Sequence, residues 1–218
     1  MKHLILPAFV FVFLACIPYG TCNAQENRSF PSARAGIKGG LNFSNLNIQD
    51  ANNVQALIGF NLGLFAKLPL ASFLAIQPEL SYTTKGSEVA YNNVFATGTA
   101  RFGLNYLELP VLVVINPIDI VNIHFGPYIS YLLNGTVKNV SNVSSFDFEN
   151  NINNDDYNRF DAGLALGAGI DLGSISIGAR YSFGLTKIGR ERSFLGTTYT
   201  FPDARNSVFS IYASLALN

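Results

Sequence analysis

The sequence predicts an all-β fold: an eight-stranded antiparallel up-and-down transmembrane β-barrel with short periplasmic turns and long extracellular loops. Three observations predict it. Beyond Arg34 the chain repeats segments of period-two alternation, which place successive side chains on opposite faces of a sheet. The connections between these segments alternate between tight and long, as they do in bacterial outer-membrane barrels, and an even strand number returns both termini to the periplasmic side. Only 13% of residues are charged while 49% are hydrophobic. A soluble domain carries roughly 25% charge, so part of the outer surface is expected to avoid water.

The first strand has Arg34, Gly36, Lys38, Gly40, Asn42 and Ser44 on one face and Ala35, Ile37, Leu41 and Phe43 on the other. In the second, Ile58, Phe60, Leu62 and Leu64 oppose Gln55, Asn61, Gly63 and Lys67. The third sets Leu74, Ile76, Leu80 and Tyr82 against Gln77, Glu79, Ser81, Thr83 and Lys85. The fourth is the awkward one. Placing Arg101, Gly103 and Asn105 inward sends Glu108 out into lipid, where a carboxylate is costly. A bulge near Tyr106 and Leu107 is therefore expected to return Glu108 to the interior; a place at the periplasmic rim is the alternative. Pro110 cannot donate to a ladder and predicts irregular pairing there.

The fifth strand puts Val121, Ile123, Phe125, Ile129 and Tyr131 out and Asn122, His124, Gly126, Tyr128 and Ser130 in. The sixth opposes Phe160, Leu164, Leu166 and Ile170 to Asp161, Gly163, Gly167 and Gly169. The seventh opposes Ile175, Ile177, Tyr181 and Phe183 to Ser176, Gly178, Arg180 and Ser182. The eighth closes with Phe209, Ile211, Leu215 and Leu217 out and Ser210, Tyr212 and Ser214 in. Tight turns are predicted at 69–72, 116–119 and 173–174, and long polar connections at 45–53, 86–98, 135–158 and 189–202.

Alternation alone does not say which face is inside, and a soluble lipocalin-like barrel would invert it. The polar face here is rich in glycine and carries charges of both signs, whereas the apolar face is almost uncharged. A surface facing water would not be built that way. The inward set therefore predicts a lumen network of Lys38, Lys67, Glu79, Lys85, Arg101, Glu108, His124, Asp161 and Arg180. An eight-stranded barrel is just wide enough for side chains to fill, and unpaired buried charges are expensive. The expectation is a plugged barrel, with a narrow channel as the alternative.

Ahead of the barrel, residues 1–24 read as a cleaved signal peptide: Lys2 and His3, an apolar stretch from Leu4 to Ile17, and a small-residue end at Ala24. The stretch is too short to span a bilayer. Cys16 after Phe13-Leu14-Ala15 offers a lipidation site as an alternative. Residues 25–33 form a short periplasmic segment, and residues 34–218 the barrel. Both cysteines, Cys16 and Cys22, fall in the expected leader, so the exported chain would have no thiol chemistry. The expected location is the outer membrane.

The segments beginning Gly36-Ile-Lys-Gly-Gly-Leu-Asn-Phe-Ser44, Tyr106-Leu-Glu-Leu-Pro110, Gly126-Pro-Tyr-Ile-Ser130 and Asp161-Ala-Gly-Leu-Ala-Leu-Gly-Ala-Gly169 resemble the PorT-like outer-membrane β-barrel family, from about Ala33 to the C-terminus. The resemblance implies an outer-membrane barrel of OmpA/OmpX-like size, some of whose relatives serve secretion and gliding machinery. One departure is the terminus Leu217-Asn218, where such barrels usually end on an aromatic residue read during assembly; Phe209 and Tyr212 are expected to stand in for it.

No enzyme, cofactor or metal is expected. His124 is the single histidine after the leader, which disfavours zinc and copper sites. The acidic run 147–156 lacks the glycine of a calcium-binding hand, and no nucleophile elbow is present. Charge is balanced, with 14 basic and 14 acidic residues, so nucleic acid has no electrostatic footprint. What remains is a binding, adhesion or envelope-structural role through the extracellular loops, in which Phe146, Phe148 and Tyr157 are candidate contacts; a component of a secretion or gliding apparatus, or a narrow small-solute channel, is the alternative. The expected partners are outer-membrane lipid, envelope or secretion-machine proteins, and an external ligand at the loops.

Overall fold

The computed structural model describes residues 32–48, 54–92, 97–141, 148–151, 158–188, 191–194, 197–200 and 204–217. Eleven strands are formed: β1 (Arg34–Ile48), β2 (Val54–Ala71), β3 (Leu74–Asn92), β4 (Thr97–Ile118), β5 (Val121–Ser141), β6 (Phe148–Asn151), β7 (Phe160–Leu172), β8 (Ile175–Gly184), β9 (Glu191–Phe194), β10 (Thr197–Thr200) and β11 (Ala204–Ala216). Eight of them, β1 to β5, β7, β8 and β11, pair antiparallel with their neighbours, and β1 meets β11 to close the barrel. The β6 strand adds to the outer edge of β5, and β9 with β10 forms a separate hairpin.

Alternation explains why the wall is built this way. Outward positions carry β-branched and aromatic side chains, which fit a pleated face, and Ile37, Leu41, Phe60, Leu62, Phe125, Leu166, Ile177 and Ile211 stand exposed on the outside. That surface is the lipid belt. Aromatic pairs bound it at its outer end: Phe43 with Phe209 at 6.4 Å, Phe60 with Tyr82 at 5.7 Å and Tyr131 with Phe160 at 5.2 Å. Such girdles mark the membrane interface in outer-membrane barrels.

Inward glycines do a different job. Gly178 lies opposite Tyr212, Gly163 opposite Tyr128, Gly167 opposite His124 and Gly36 opposite Phe65 in the strand registers. A Cβ at Gly178 would come 2.6 Å from the Tyr212 hydroxyl, and one at Gly163 would come 2.6 Å from the Tyr128 ring. Each glycine is the recess into which a large ring from the next strand is laid. This lets three inward tyrosines and a histidine fit a lumen of only eight strands. Gly86 is different: its φ is +154° and a Cβ there would collide with the Phe102 carbonyl, so its backbone geometry requires glycine.

The walls are unequal. Beyond the level of Tyr82, Leu107 and Tyr131, strands β3, β4 and β5 each continue for several residues, whereas the partner of Tyr131 on the next strand is Phe160, where β7 begins. Much of the expected loops 86–98 and 135–158 is therefore strand. On this projecting wall the polar side chains face outward: Thr84 donates to Asn105 at 3.0 Å, Asn105 donates to Asn134 at 2.7 Å, and Arg101 meets Glu88 at 2.8 Å. The periplasmic turns fall at 72–73, 119–120 and 173–174, one of them where the sequence places it and two displaced by one to three residues.

The fourth strand corrects the expectation in two ways. From Leu104 to Val114 the even-numbered residues point in without interruption, so Glu108 is interior by simple alternation and no bulge at Tyr106 and Leu107 is present. The bulge lies across the ladder, on β5: Asn105 pairs with Asn134 and Tyr106 with Leu132, leaving Leu133 as the extra residue. Pro110 stays in register with Tyr128, but the β3–β4 ladder is interrupted at Leu109 and Pro110, between Pro78–Val111 and Ser81–Glu108, as the proline leads one to expect, and resumes in the same register. Arg101, on the odd-numbered face, is 55% exposed and outside the lumen.

Candidate functional site

Eight of the nine expected lumen residues are brought together inside the barrel: Lys38, Lys67, Glu79, Lys85, Glu108, His124, Asp161 and Arg180. Arg101 is the exception. They assemble in three levels, each held by strands that alternation forces to turn these positions inward.

At the centre, Arg180 on β8 grips Glu79 on β3 through two parallel hydrogen bonds of 2.7 and 2.8 Å. This fork geometry is the strongest arrangement open to a guanidinium and a carboxylate. Lys38 reaches the same carboxylate at 3.1 Å and Gln77 donates to it at 2.8 Å. The Lys38 ammonium also lies 3.8 Å from the centre of the Tyr212 ring, within cation–π range.

From this centre a directed chain of hydrogen bonds descends. The Arg180 Nε–H donates to His124 Nε2 at 3.2 Å. A guanidinium can only donate, so that ring nitrogen must accept and the proton sits on Nδ1. Nδ1 in turn donates to Asn122 Oδ1 at 3.1 Å, and the Asn122 amide donates to Asp171 at 2.6 Å. Asp171 also holds Lys67 at 3.2 Å and Asn116 at 3.1 Å, completing the periplasmic level.

At the outer level, Lys85 bridges Glu108 at 2.6 Å and Asp161 at 3.3 Å. Asp161 accepts further hydrogen bonds from Thr186 at 2.7 Å, Asn206 at 2.9 Å and Tyr128 at 3.4 Å. Lys85 lies between the rings of Tyr128 and Tyr106. Near the mouth Leu104, Leu132 and Ile188 are buried together with Ser87.

Four cations, Lys38, Lys67, Lys85 and Arg180, thus face four carboxylates, Glu79, Glu108, Asp161 and Asp171, each bonded to at least one of opposite sign. Pairing of this kind is what makes charge tolerable out of water. Glu79 and Glu108 are not a carboxylate couple, because each is held by its own cations. Among the described residues, cavities of about 30 and 40 Å³ lie in the lumen, room for a few waters apiece.

Asp171, Asn116, Asn206 and Tyr106 belong to this network but were not among the expected lumen residues. Asp171 shares the parity of Asp161 and could be found by carrying β7 two residues further. Asn116 and Asn206 sit at strand ends whose parity the sequence does not settle. Of the loop candidates, Phe148 opens β6 and pairs with Asn139 in register, while Phe146 and Tyr157 lie outside the described residues. Tyr212 points inward under Lys38 and does not contribute an outward aromatic near the C-terminus, whereas Phe209 does.

A closed antiparallel barrel with an apolar outer belt, an aromatic girdle and a charge-paired lumen is an outer-membrane β-barrel. Residues 23–190 match the family model described as outer membrane protein beta-barrel domain, and the chain belongs to that family. Among solved structures it is similar to surface protein A of Neisseria, with a TM-score of 0.51 at 12% identity over 84% of this chain and 98% of that one. It is also similar to the attachment invasion locus protein of Yersinia pestis solved with a heparin analogue, with a TM-score of 0.47 at 14% identity over 85% and 99% of the two chains. The outer-membrane enzyme PagL shows a TM-score of 0.32 at 12% identity over 84% and 99%. These identities speak for the fold alone. No curated protein matches the sequence.

Proposed function

We propose that this protein is a sealed, non-enzymatic outer-membrane barrel whose specific activity, binding or adhesion, resides in its extracellular wall and loops. The observation that carries this reading is the projection of β3, β4 and β5, with β6 added at the edge, beyond the aromatic girdle. At about 3.3 Å per residue a wall of this kind stands well clear of the lipid, which a barrel serving only as a membrane filler does not need. The lumen supports the non-enzymatic half of the reading: every carboxylate and the histidine are bonded within the network, and none is offered to a substrate.

The test replaces residues 142–157 by a short glycine–serine turn. Purified protein in nanodiscs is then assayed against immobilised glycans and matrix proteins. Binding by the unaltered protein and its loss in the variant, with the folded barrel intact, is the expected result. Equal binding by both would remove the outer segments as the active region.

A second reading, a component of a secretion or gliding apparatus, rests on the PorT-like resemblance and on one observation. The periplasmic turns carry exposed apolar residues, Phe73, Ile118 and Ile120, which suit a periplasmic protein contact as well as an inner-leaflet anchor. Crosslinking from cysteines placed at Ser72 and Asp119 decides it: capture of one defined envelope protein supports this reading, and capture of none disfavours it. We take residues 1–24 as a cleaved leader, which N-terminal sequencing of protein from outer membranes checks by the presence of Gln25 at the start.

A further inference from the structure

The two lumen cavities have different neighbours. The periplasmic one is lined by Arg34, Lys67, Asn122, Asp171 and the turn residues Gly173 and Ser174, and the outer one by Asn42, Ser81, Lys85, Glu108 and Ser182. One residue, Tyr212, lines both. Its ring lies across the lumen, with the Lys38 ammonium 3.8 Å from its centre, the Arg180 guanidinium 5.5 Å away and the His124 ring at 5.9 Å. Gly178 and Gly40 lie opposite Tyr212 on the two adjacent strands; a Cβ at Gly178 would strike its ring, and one at Gly40 its Cα and Cβ. The partition between the cavities is Tyr212 and the charged groups resting on it.

A second closure stands at the outer mouth. β8 ends at Gly184, and the next four residues continue beside β7, with Leu185 and Lys187 exposed and Ile188 buried. Thr186 donates to Asp161 at 2.7 Å, the Asn158 backbone N–H donates to the Ile188 carbonyl at 2.8 Å, and Ile188, like Leu104, Tyr106 and Leu132, is buried. Elsewhere the two cavities are lined mainly by polar and charged side chains, alongside Phe65, Val114 and Val208.

We propose that the lumen is a path for small hydrated ions closed by two seals in series, a septum at Tyr212 and a cap at Tyr106 and Ile188, either of which suffices to block it. The chambers have room for a few waters and are lined by charges of both signs, so the species that fits is a small inorganic ion, and larger solutes are excluded by size.

The test is planar-bilayer conductance in potassium chloride of the full-length protein and three variants: Tyr212→Ala, Tyr106→Ala with Ile188→Ala, and the combination. The unaltered protein and both partial variants are expected to be silent, and the combination to give discrete steps. Silence of the combination while it still shows a heat-dependent gel shift would overturn the proposal. Conduction by Tyr212→Ala alone would overturn the outer seal.

Should the combination fail to fold, silver-ion labelling decides the septum. It uses the full chain carrying Cys16→Ala and Cys22→Ala, with one cysteine introduced at Ser182 and silver added from the periplasmic side. The expected result is at least a tenfold faster reaction at position 182 when Tyr212 is replaced by Ala. A cysteine at Ser176, in the periplasmic chamber, is expected to react in both backgrounds. Fast labelling at 182 with Tyr212 in place, or none in folded Tyr212→Ala, would sink the proposal.

Discussion

Glu79 and Arg101 look alike in the sequence, each a charge on an alternating strand, and the structure separates them. Glu79 is buried and bonded to Arg180, Lys38 and Gln77, whereas Arg101 meets Glu88 on the outer face above the girdle. Removing one partner of a buried pair strands the other charge and costs about 3–5 kcal/mol, and here two cations would be stranded. An exposed pair contributes roughly 0–1 kcal/mol. Glu79→Ala is therefore expected to lower the unfolding free energy, measured by urea titration in lipid vesicles, by about 3–5 kcal/mol, and Arg101→Ala to leave it nearly unchanged. Equal losses in the two variants would contradict the placement of Arg101.

The reason Arg101 is misread lies in the solvent. Alternation along β4 never slips. Above the girdle the outward face meets water and takes Arg101 and Asn105, while within the bilayer it meets lipid and the inward face takes Glu108. The same parity therefore carries polar residues at one height and apolar ones at another. The sequence shows the alternation but not the height at which the surroundings change.

At the scale of the element, register carries the information. Leu133 is the extra residue on β5, and the pairings on either side of it are already aligned with β4. Deleting Leu133 is expected to merge them into one regular ladder, and the variant should keep its heat-dependent gel shift. Deleting Ile129, only four positions earlier, removes a residue from a regular stretch. It would turn one portion of the strand over, sending Ser130 or His124 into lipid and apolar neighbours inward. Loss of the folded species is expected for that variant. If both deletions fold equally well, the bulge has been misplaced.

Short turns were legible to within a few residues because the apolar runs stop there. The long connections were not, since Asn-rich, weakly alternating sequence reads as loop while a neighbouring strand can still recruit it into pairing. Extended β3, β4 and β5 stabilise one another across the ladder in a way that no single segment announces.

For the whole molecule, the decisive fact is which face meets lipid. Ile211 on β11 is 48% exposed at mid-height of the belt, level with Leu41 and Ala179 in register. A basic residue at the midplane of the lipid face costs about 2–4 kcal/mol, so Ile211→Arg is expected to lower the unfolding free energy in vesicles by that amount. A water-facing position would tolerate the change. The intact barrel is expected to migrate faster unboiled than boiled on gels of outer-membrane extracts. A protein that fractionated as soluble, with no shift, would remove the lipid assignment.

The sequence by itself determined the strand number, the antiparallel order, the apolar outer face and most of the lumen set, because each follows from a period of two and the places where it breaks. Tertiary structure alone decided that Arg101 stands outside, that Asp171 joins the lowest level, that the bulge sits on β5 and that Tyr212 divides the lumen. Those depend on which strands lie opposite one another once the barrel closes, and closure brings together residues such as Glu79 and Arg180, 101 positions apart, whose pairing no local pattern encodes.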